Sequence, residues 1–421
     1  MYKKTTFKNG LRLVTQHLAN TKAVTVLVLV GAGSRYETKD INGISHFLEH
    51  MFFKGAEKYK NTKEVSSAID SIGGDFNAFT GKEYAGYYVK VASEHVDVAM
   101  DVLSDMLIRA KFDPTEIDKE RGVILEEYNM YQDTPMYQIG WDFEQLVFGD
   151  QPLGWDQIGT KELIKGVTQA DFQDYKDKLY TPDNTVICIA GNIQHEEAVA
   201  KTEQYFEMDE AKKAFEYAAF TGTASGSKLK ITNKKTEQAH LVIGFPGVAF
   251  KDELVWSSKV LSVILGGNMS SRMFLNVREA QGLCYYVKTE TDEFSDTGTI
   301  STRAGVDTTR VKDALTAILK EYKDVIDNGV TAEEIHRAKE YLKGKITLRL
   351  EDSEEYAHML ARQELLEDKI EAPEEIIAQI EAVTEDSIQA VVRQYFRQEN
   401  LYLALIGPYG DEEEFKKLLI L

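Results

Sequence analysis

The chain carries a long internal repeat. The run Val167-Thr168, Tyr180, Asn184, Gly191 recurs as Val383-Thr384, Phe396, Asn400, Gly407, every position displaced by 216. Each run reads as a helix followed by an Asn-led strand. A weaker echo pairs the helical pattern Val96–Leu107 with Val311–Ile318. Another pairs the acidic helix start at Asp113-Pro114-Thr115-Glu116 with Thr331-Ala332-Glu333-Glu334. The chain therefore reads as two copies of one α+β unit. At 421 residues and 43% hydrophobic it is long enough to give each copy its own core. A stretch rich in Ala, Gly, Ser and Lys at 209–228 marks the boundary, so the expected domains are 1–208 and 229–421 with 209–228 as linker.

The two copies differ in chemistry. The first contains Gly43-Ile44-Ser45-His46-Phe47-Leu48-Glu49-His50-Met51. A helix turns about 100° per residue, so His46, Glu49 and His50 share a face. Two neutral imidazoles one turn apart supply two nitrogen ligands to zinc, and the carboxylate between them can take a proton from a water held there. Only eight histidines occur in the chain, and two of them flank a glutamate at ligand spacing. H-x-x-E-H is the inverted-zincin order. Where this helix should recur, the second copy reads Ser257-Ser258-Lys259-Val260-Leu261-Ser262-Val263, without histidine or carboxylate.

A catalytic zinc needs a third protein ligand and an open position. The helix beginning at Asp113-Pro114 carries Glu120 and Glu127 seven residues apart, hence about 20° apart around its axis. Glu126 is adjacent and equally acidic, and the residues alone leave the ligand open.

At this point the chain resembles the pitrilysin and mitochondrial-processing-peptidase group of inverted-zincin metallopeptidases. HFLEHMFFKG matches that group's motif throughout, and its third ligand is the second Glu of a downstream E-x6-E pair. By position, the resemblance implies that Glu127 is the ligand and that Glu120 orients a ligand or water. It implies Zn2+, one per chain, with Glu49 as general base. It also implies that Asn77, Ala78 and Phe79, on an edge strand, contact substrate. In the second copy, Val277-Arg278 and Leu283-Cys284-Tyr285 match a V/L-R-x5-L-x-Y pattern. Arg278 and Tyr285 are thereby implied as donors to a peptide carbonyl or oxyanion. The implied fold is α+β, two homologous domains, each an antiparallel-rich mixed sheet with helices packed on one face, enclosing a chamber for peptides. Longer relatives of this kind hold four domains, and this chain has two. A homodimer is therefore expected, in which the Arg-Tyr pair of one subunit faces the zinc of the other, a heterodimer with a related chain being the alternative.

A net charge of −20 disfavours nucleic acid and anionic membranes as partners and leaves peptides, preferably basic or unfolded ones. Cys188 and Cys284 lack ligand-spaced neighbours and read as buried thiols of a reducing compartment. The N-terminal stretch has no apolar core after its lysines, and the longest apolar run, 23–32, is too short to span a bilayer. The expected setting is cytoplasmic. Asn9-Gly10 signals a hairpin, with 5–17 and 22–32 expected as paired strands. A helix is expected over 62–72, then strands at 75–80 and 83–91. The expected activity is zinc-dependent cleavage of short or unfolded peptides. The alternatives are a maturation protease that needs a companion subunit and a catalytically silent scaffold subunit.

Overall fold

The computed structural model describes residues 2–367 and 369–421, folded into two compact units. The first comprises the stretch ending at Tyr128, with Asp156–Ala218 and Thr347–Ala372. The second comprises Asn129–Trp155, Ala219–Ile346 and Pro373–Leu421. The expected contiguous division at 209–228 is therefore not how the contacts fall. Each unit borrows one segment from the other copy of the repeat.

In the first unit, strands β1 (Lys3–Thr6), β2 (Arg12–His17), β3 (Ala23–Val30), β4 (Asp75–Thr80), β5 (Ala85–Ala92) and β6 (Thr185–Gly191) form one sheet in the order β1-β2-β6-β3-β5-β4. In the second, β7 (Leu229–Asn233), β8 (Gln238–Gly247), β9 (Cys284–Glu293), β10 (Gly298–Asp307) and β11 (Tyr402–Gly407) take the order β7-β11-β8-β10-β9. The same plan is built twice. β6 and β11 each sit between a parallel and an antiparallel neighbour. Each follows a helix closed by a full capping box, at Thr168-Asp171 and Thr384-Ser387. The repeat read in sequence is thus a repeat in topology.

Asn9-Gly10 makes the expected turn, with Gly10 at φ 93°, but it joins β1 to β2. The 22–32 strand is not paired with 5–17: β6, a strand 170 residues downstream, inserts between β2 and β3. Two adjacent extended runs need not be neighbours when a later strand can bond to both.

Strand alternation explains how both faces of each sheet are buried. Val28 and Val30 of β3 lie with Leu107 and Ile108 of the helix Val96–Ile108. Leu27 and Leu29 point the other way, into a cluster with Val186, Cys188, Ala357, Leu360 and Ala361. The last three belong to the helix Ser353–Leu366, from the second copy. In the second unit, Leu241, Ile243, Leu403 and Leu405 pack with that copy's own helices, while Val242, Tyr402, Ala404 and Ile406 receive Ile139, Phe143 and Leu146. These come from the helix Pro135–Phe148, of the first copy. Both exchanged helices are 14 residues long, and they stand at equivalent places in the repeat, 135 and 353. Beyond the helices expected over one face, each sheet thus takes a single helix from the other copy over its second face.

Among the described residues, no helix is long and apolar enough to cross a membrane. Cys188 and Cys284 are buried free thiols, and burial pushes Cys284 up to about 11.

Candidate metal centre

The helix Ile44–Phe52 begins at Gly43, whose φ of 102° is open to glycine and where a Cβ would stand 2.6 Å from the Ile158 carbonyl oxygen. No side chain of the N-cap residue itself satisfies the first turn. Glu37 does so instead. Its two carboxylate oxygens accept from the Gly43 and Ser45 amides, each at 2.8 Å, and from Asn42 Nδ2 at 2.8 Å. A buried carboxylate thus meets the positive end of the helix dipole. Burial pushes the Glu37 carboxyl up, opposed by the hydrogen bonds from Ser45, Gly43 and Asn42. Nothing in the sequence around the H-x-x-E-H motif pointed to Glu37, because it lies outside the helix and ahead of the cap position.

His46 and His50 emerge one turn apart from that helix, their rings 4.8 Å apart between centroids. The helix Pro114–Asp133 brings Glu127 to them. Its two oxygens lie 3.6 Å from His46 Nε2 and 3.4 Å from His50 Nε2. A tetrahedral ion with bonds of about 2.1 Å holds its ligand atoms about 3.4 Å apart, so these gaps fit a shared cation better than direct hydrogen bonds. One donor atom from each of the three lies within 4.8 Å of the other two, the one such group among the described residues. His46 Nδ1 is buried and without a hydrogen-bond partner among the described residues, and the ring's other nitrogen, Nε2, faces Glu127. Glu126, the alternative left open by the residues, is exposed.

Glu120 lies on the same helix face and is buried. One oxygen bonds His50 Nδ1 at 2.9 Å and the other Lys54 Nζ at 2.6 Å. Burial works to raise its carboxyl, but the bonds to His50 and Lys54 win and hold it below the ordinary range. An ionised carboxylate only accepts, so His50 donates through Nδ1 and presents Nε2 to Glu127. Burial works to lower the His50 imidazole, yet the neighbouring Glu120 and Glu127 carboxylates push it up to about 9. Burial works to raise the Glu127 carboxyl, but the His46 and His50 imidazoles beside it hold it far below the carboxylate range. Such a cluster takes up a proton where a cation would otherwise sit, and metal binding releases it.

Glu49 is not part of the three-donor group. Its Oε2 accepts from Thr80 Oγ1 at 2.6 Å, at the end of β4. β4 is the sheet edge, as expected. Ala78 stands opposite Tyr87 on β5, and its amide donates to Asn77 Oδ1 at 2.9 Å. The Phe79 ring is turned to the far face, 5.2 Å from the His358 ring, and lies against Gly86, which has no Cβ to displace it. Arg278 and Tyr285 lie in the second unit. The Arg278 guanidinium stacks 4.8 Å from the Phe274 ring at the end of a π-helical segment, Met273–Glu279, and Tyr285 on β9 is 75% exposed.

Comparison with known proteins bears on this arrangement. Residues 12–146 match the family model described as insulinase, peptidase family M16, and residues 166–342 match the peptidase M16 inactive domain. A protein of Bacillus subtilis described as an uncharacterized zinc protease, YmxG, is 37% identical over 98% of this chain and 99% of its own length. A protein of Streptomyces coelicolor described in the same way, SCO5738, is 36% identical over 98% of this chain and 90% of its own. Among solved structures, a protease from Helicobacter pylori superposes with a TM-score of 0.89 over 97% of this chain and 99% of that one, at 21% identity.

Proposed function

Since the chain belongs to the insulinase family, peptidase family M16, we propose that it is a zinc endopeptidase acting on short or unfolded peptides. The observation that carries this reading is the convergence of His46, His50 and Glu127 on one point, with Glu49 on the same helix face. In this reading His46, His50 and Glu127 hold one zinc per chain, and Glu120 fixes the His50 ring. Bound zinc supplies Lewis-acid polarisation of the scissile carbonyl and lowers the pKa of water. Glu49 removes the proton from the attacking water and delivers it to the departing amine nitrogen. The main chain of Asn77, Ala78 and Phe79 pairs with an extended peptide, Asn77 releasing the Ala78 amide to it. Pairing of this kind needs a substrate backbone free of its own partners, which selects short or unfolded chains. The cytoplasm, with its reduced thiols, is the proposed setting.

The purified chain is expected to cleave a quenched unstructured peptide, to lose that activity on chelation and to regain it with one equivalent of zinc. A chain that holds zinc yet cleaves nothing supports the silent scaffold. Cleavage only after adding a related chain supports the companion-dependent protease.

Arg278 and Tyr285 complete the site in this reading as donors from a second copy, in a two-fold dimer with two shared sites. Subunits carrying Glu49→Gln and subunits carrying Tyr285→Phe are each expected to be nearly inactive. Mixed dimers put both defects at one site and leave the other whole, so they should regain up to about half the activity per dimer. Mixed dimers that stay dead, or an active species that sediments as a monomer, refute the shared site.

A further inference from the structure

We propose that Thr80 is the positioning residue for Glu49: the hydroxyl at the end of the edge strand holds the carboxylate in the orientation from which it works on water. The proposal rests on the reading of Glu49 as the base. The contact is short, 2.6 Å from Oγ1 to Oε2, in the range of a hydroxyl bonded to an ionised carboxylate. The same hydroxyl lies 3.5 Å from the Ser45 carbonyl oxygen. It has one proton, and the nearer, charged acceptor takes it.

The geometry behind this contact is stiff. Thr80 is β-branched, so its χ1 is restricted and the direction of its hydroxyl follows from the backbone. That backbone is set by register, Thr80 opposite Ala85 on β5, which is itself bonded to the buried strand β3. Glu49 is the flexible partner, with three side-chain torsions. The nearby buried phenols Tyr87 and Tyr180 bond each other at 2.8 Å, while the hydroxyl that meets the Glu49 carboxylate is that of Thr80. With Oε2 held by Thr80, Oε1 is the oxygen left to accept a proton.

The contact also ties two parts of the reaction together. Asn77 and Ala78 lie three and two residues before Thr80 on the same strand. The strand proposed to align the peptide is therefore the one that aims the base, so its register sets both distances at once.

The test compares Thr80→Val, which keeps the shape and removes the hydroxyl, with Thr80→Ser, which keeps the hydroxyl. Thr80→Ala serves as a second hydroxyl-free variant should the valine fail to fold. Thr80→Val is expected to lower kcat by about ten- to a hundredfold with KM within about twofold and zinc content unchanged. Thr80→Ser should restore most of kcat. In a Glu49→Gln background, Thr80→Val should change the residual rate by less than about twofold, since the group it positions no longer acts as a base. Affinity of that inactive pair for an uncleaved peptide should also be unchanged. Wild-type kcat in the folded hydroxyl-free variant, equal damage from serine and valine, or an undiminished effect in the Glu49→Gln background would each overturn the proposal while Glu49 remains the base. Near-normal turnover of Glu49→Gln itself overturns the base assignment, and the proposal with it.

Discussion

Glu49→Gln is expected to lower turnover by about two to four orders of magnitude while the protein keeps one zinc per chain. The substitution preserves the length and shape of the side chain, and the amide oxygen can still accept from Thr80. It removes only the ability to take a proton. Because Glu49 stands outside the group formed by His46, His50 and Glu127, metal content should not move. KM should change little, since the proposed peptide pairing is with β4 and not with this carboxylate. The measurement is single-turnover cleavage of a quenched peptide alongside metal analysis of the same preparation. Near-normal turnover with zinc in place would refute the role. Loss of zinc together with turnover would instead make Glu49 a ligand.

What the sequence revealed of the site was its local part. His46, Glu49 and His50 share a face because helix geometry is fixed within one turn, and the structure keeps them on one helix. Glu120 and Glu127 share a face for the same reason, and both meet His50. The duplication was legible because the helix before β6 and the helix before β11, each followed by an Asn-led strand, recur with every matched position displaced by 216.

What escaped was long-range. An apolar stripe on the helices Pro135–Phe148 and Ser353–Leu366 shows that each must be buried, but not against which sheet. Two copies of one fold offer two nearly equivalent docking faces, and periodicity cannot choose between them. The insertion of β6 between β2 and β3 escaped likewise, since strand neighbours are decided by pairings about 170 residues apart. Glu37 and Thr80 were missed for a related reason. Each acts on the helix Ile44–Phe52 from outside it, one from the preceding loop and one from a strand that follows. Phe79 shows the converse: it was placed among the substrate contacts through its position on β4, while its ring belongs to the packing with His358.

The second large effect concerns the metal itself. His50→Ala is expected to abolish both zinc binding and cleavage, because His50 is the residue on which the two carboxylates of the neighbouring helix converge. Its Nε2 faces Glu127 and its Nδ1 bonds Glu120, which in turn holds Lys54. Alanine removes one of the three proposed ligands and the partner of Glu120 at the same time. Glu120→Gln should be milder, weakening zinc by about ten- to a hundredfold, since it loosens the ring without deleting a ligand. A direct readout independent of activity is thermal stability. A ligand at about 1,000 times its Kd stabilises the folded state by about 4 kcal/mol, so chelation should lower the Tm of the wild-type protein. The same chelator should leave the Tm of His50→Ala where it was, because that variant has no bound metal to lose. A His50→Ala protein that retains a full equivalent of zinc, or whose Tm falls on chelation as far as the wild type's, would show that the cation is held elsewhere.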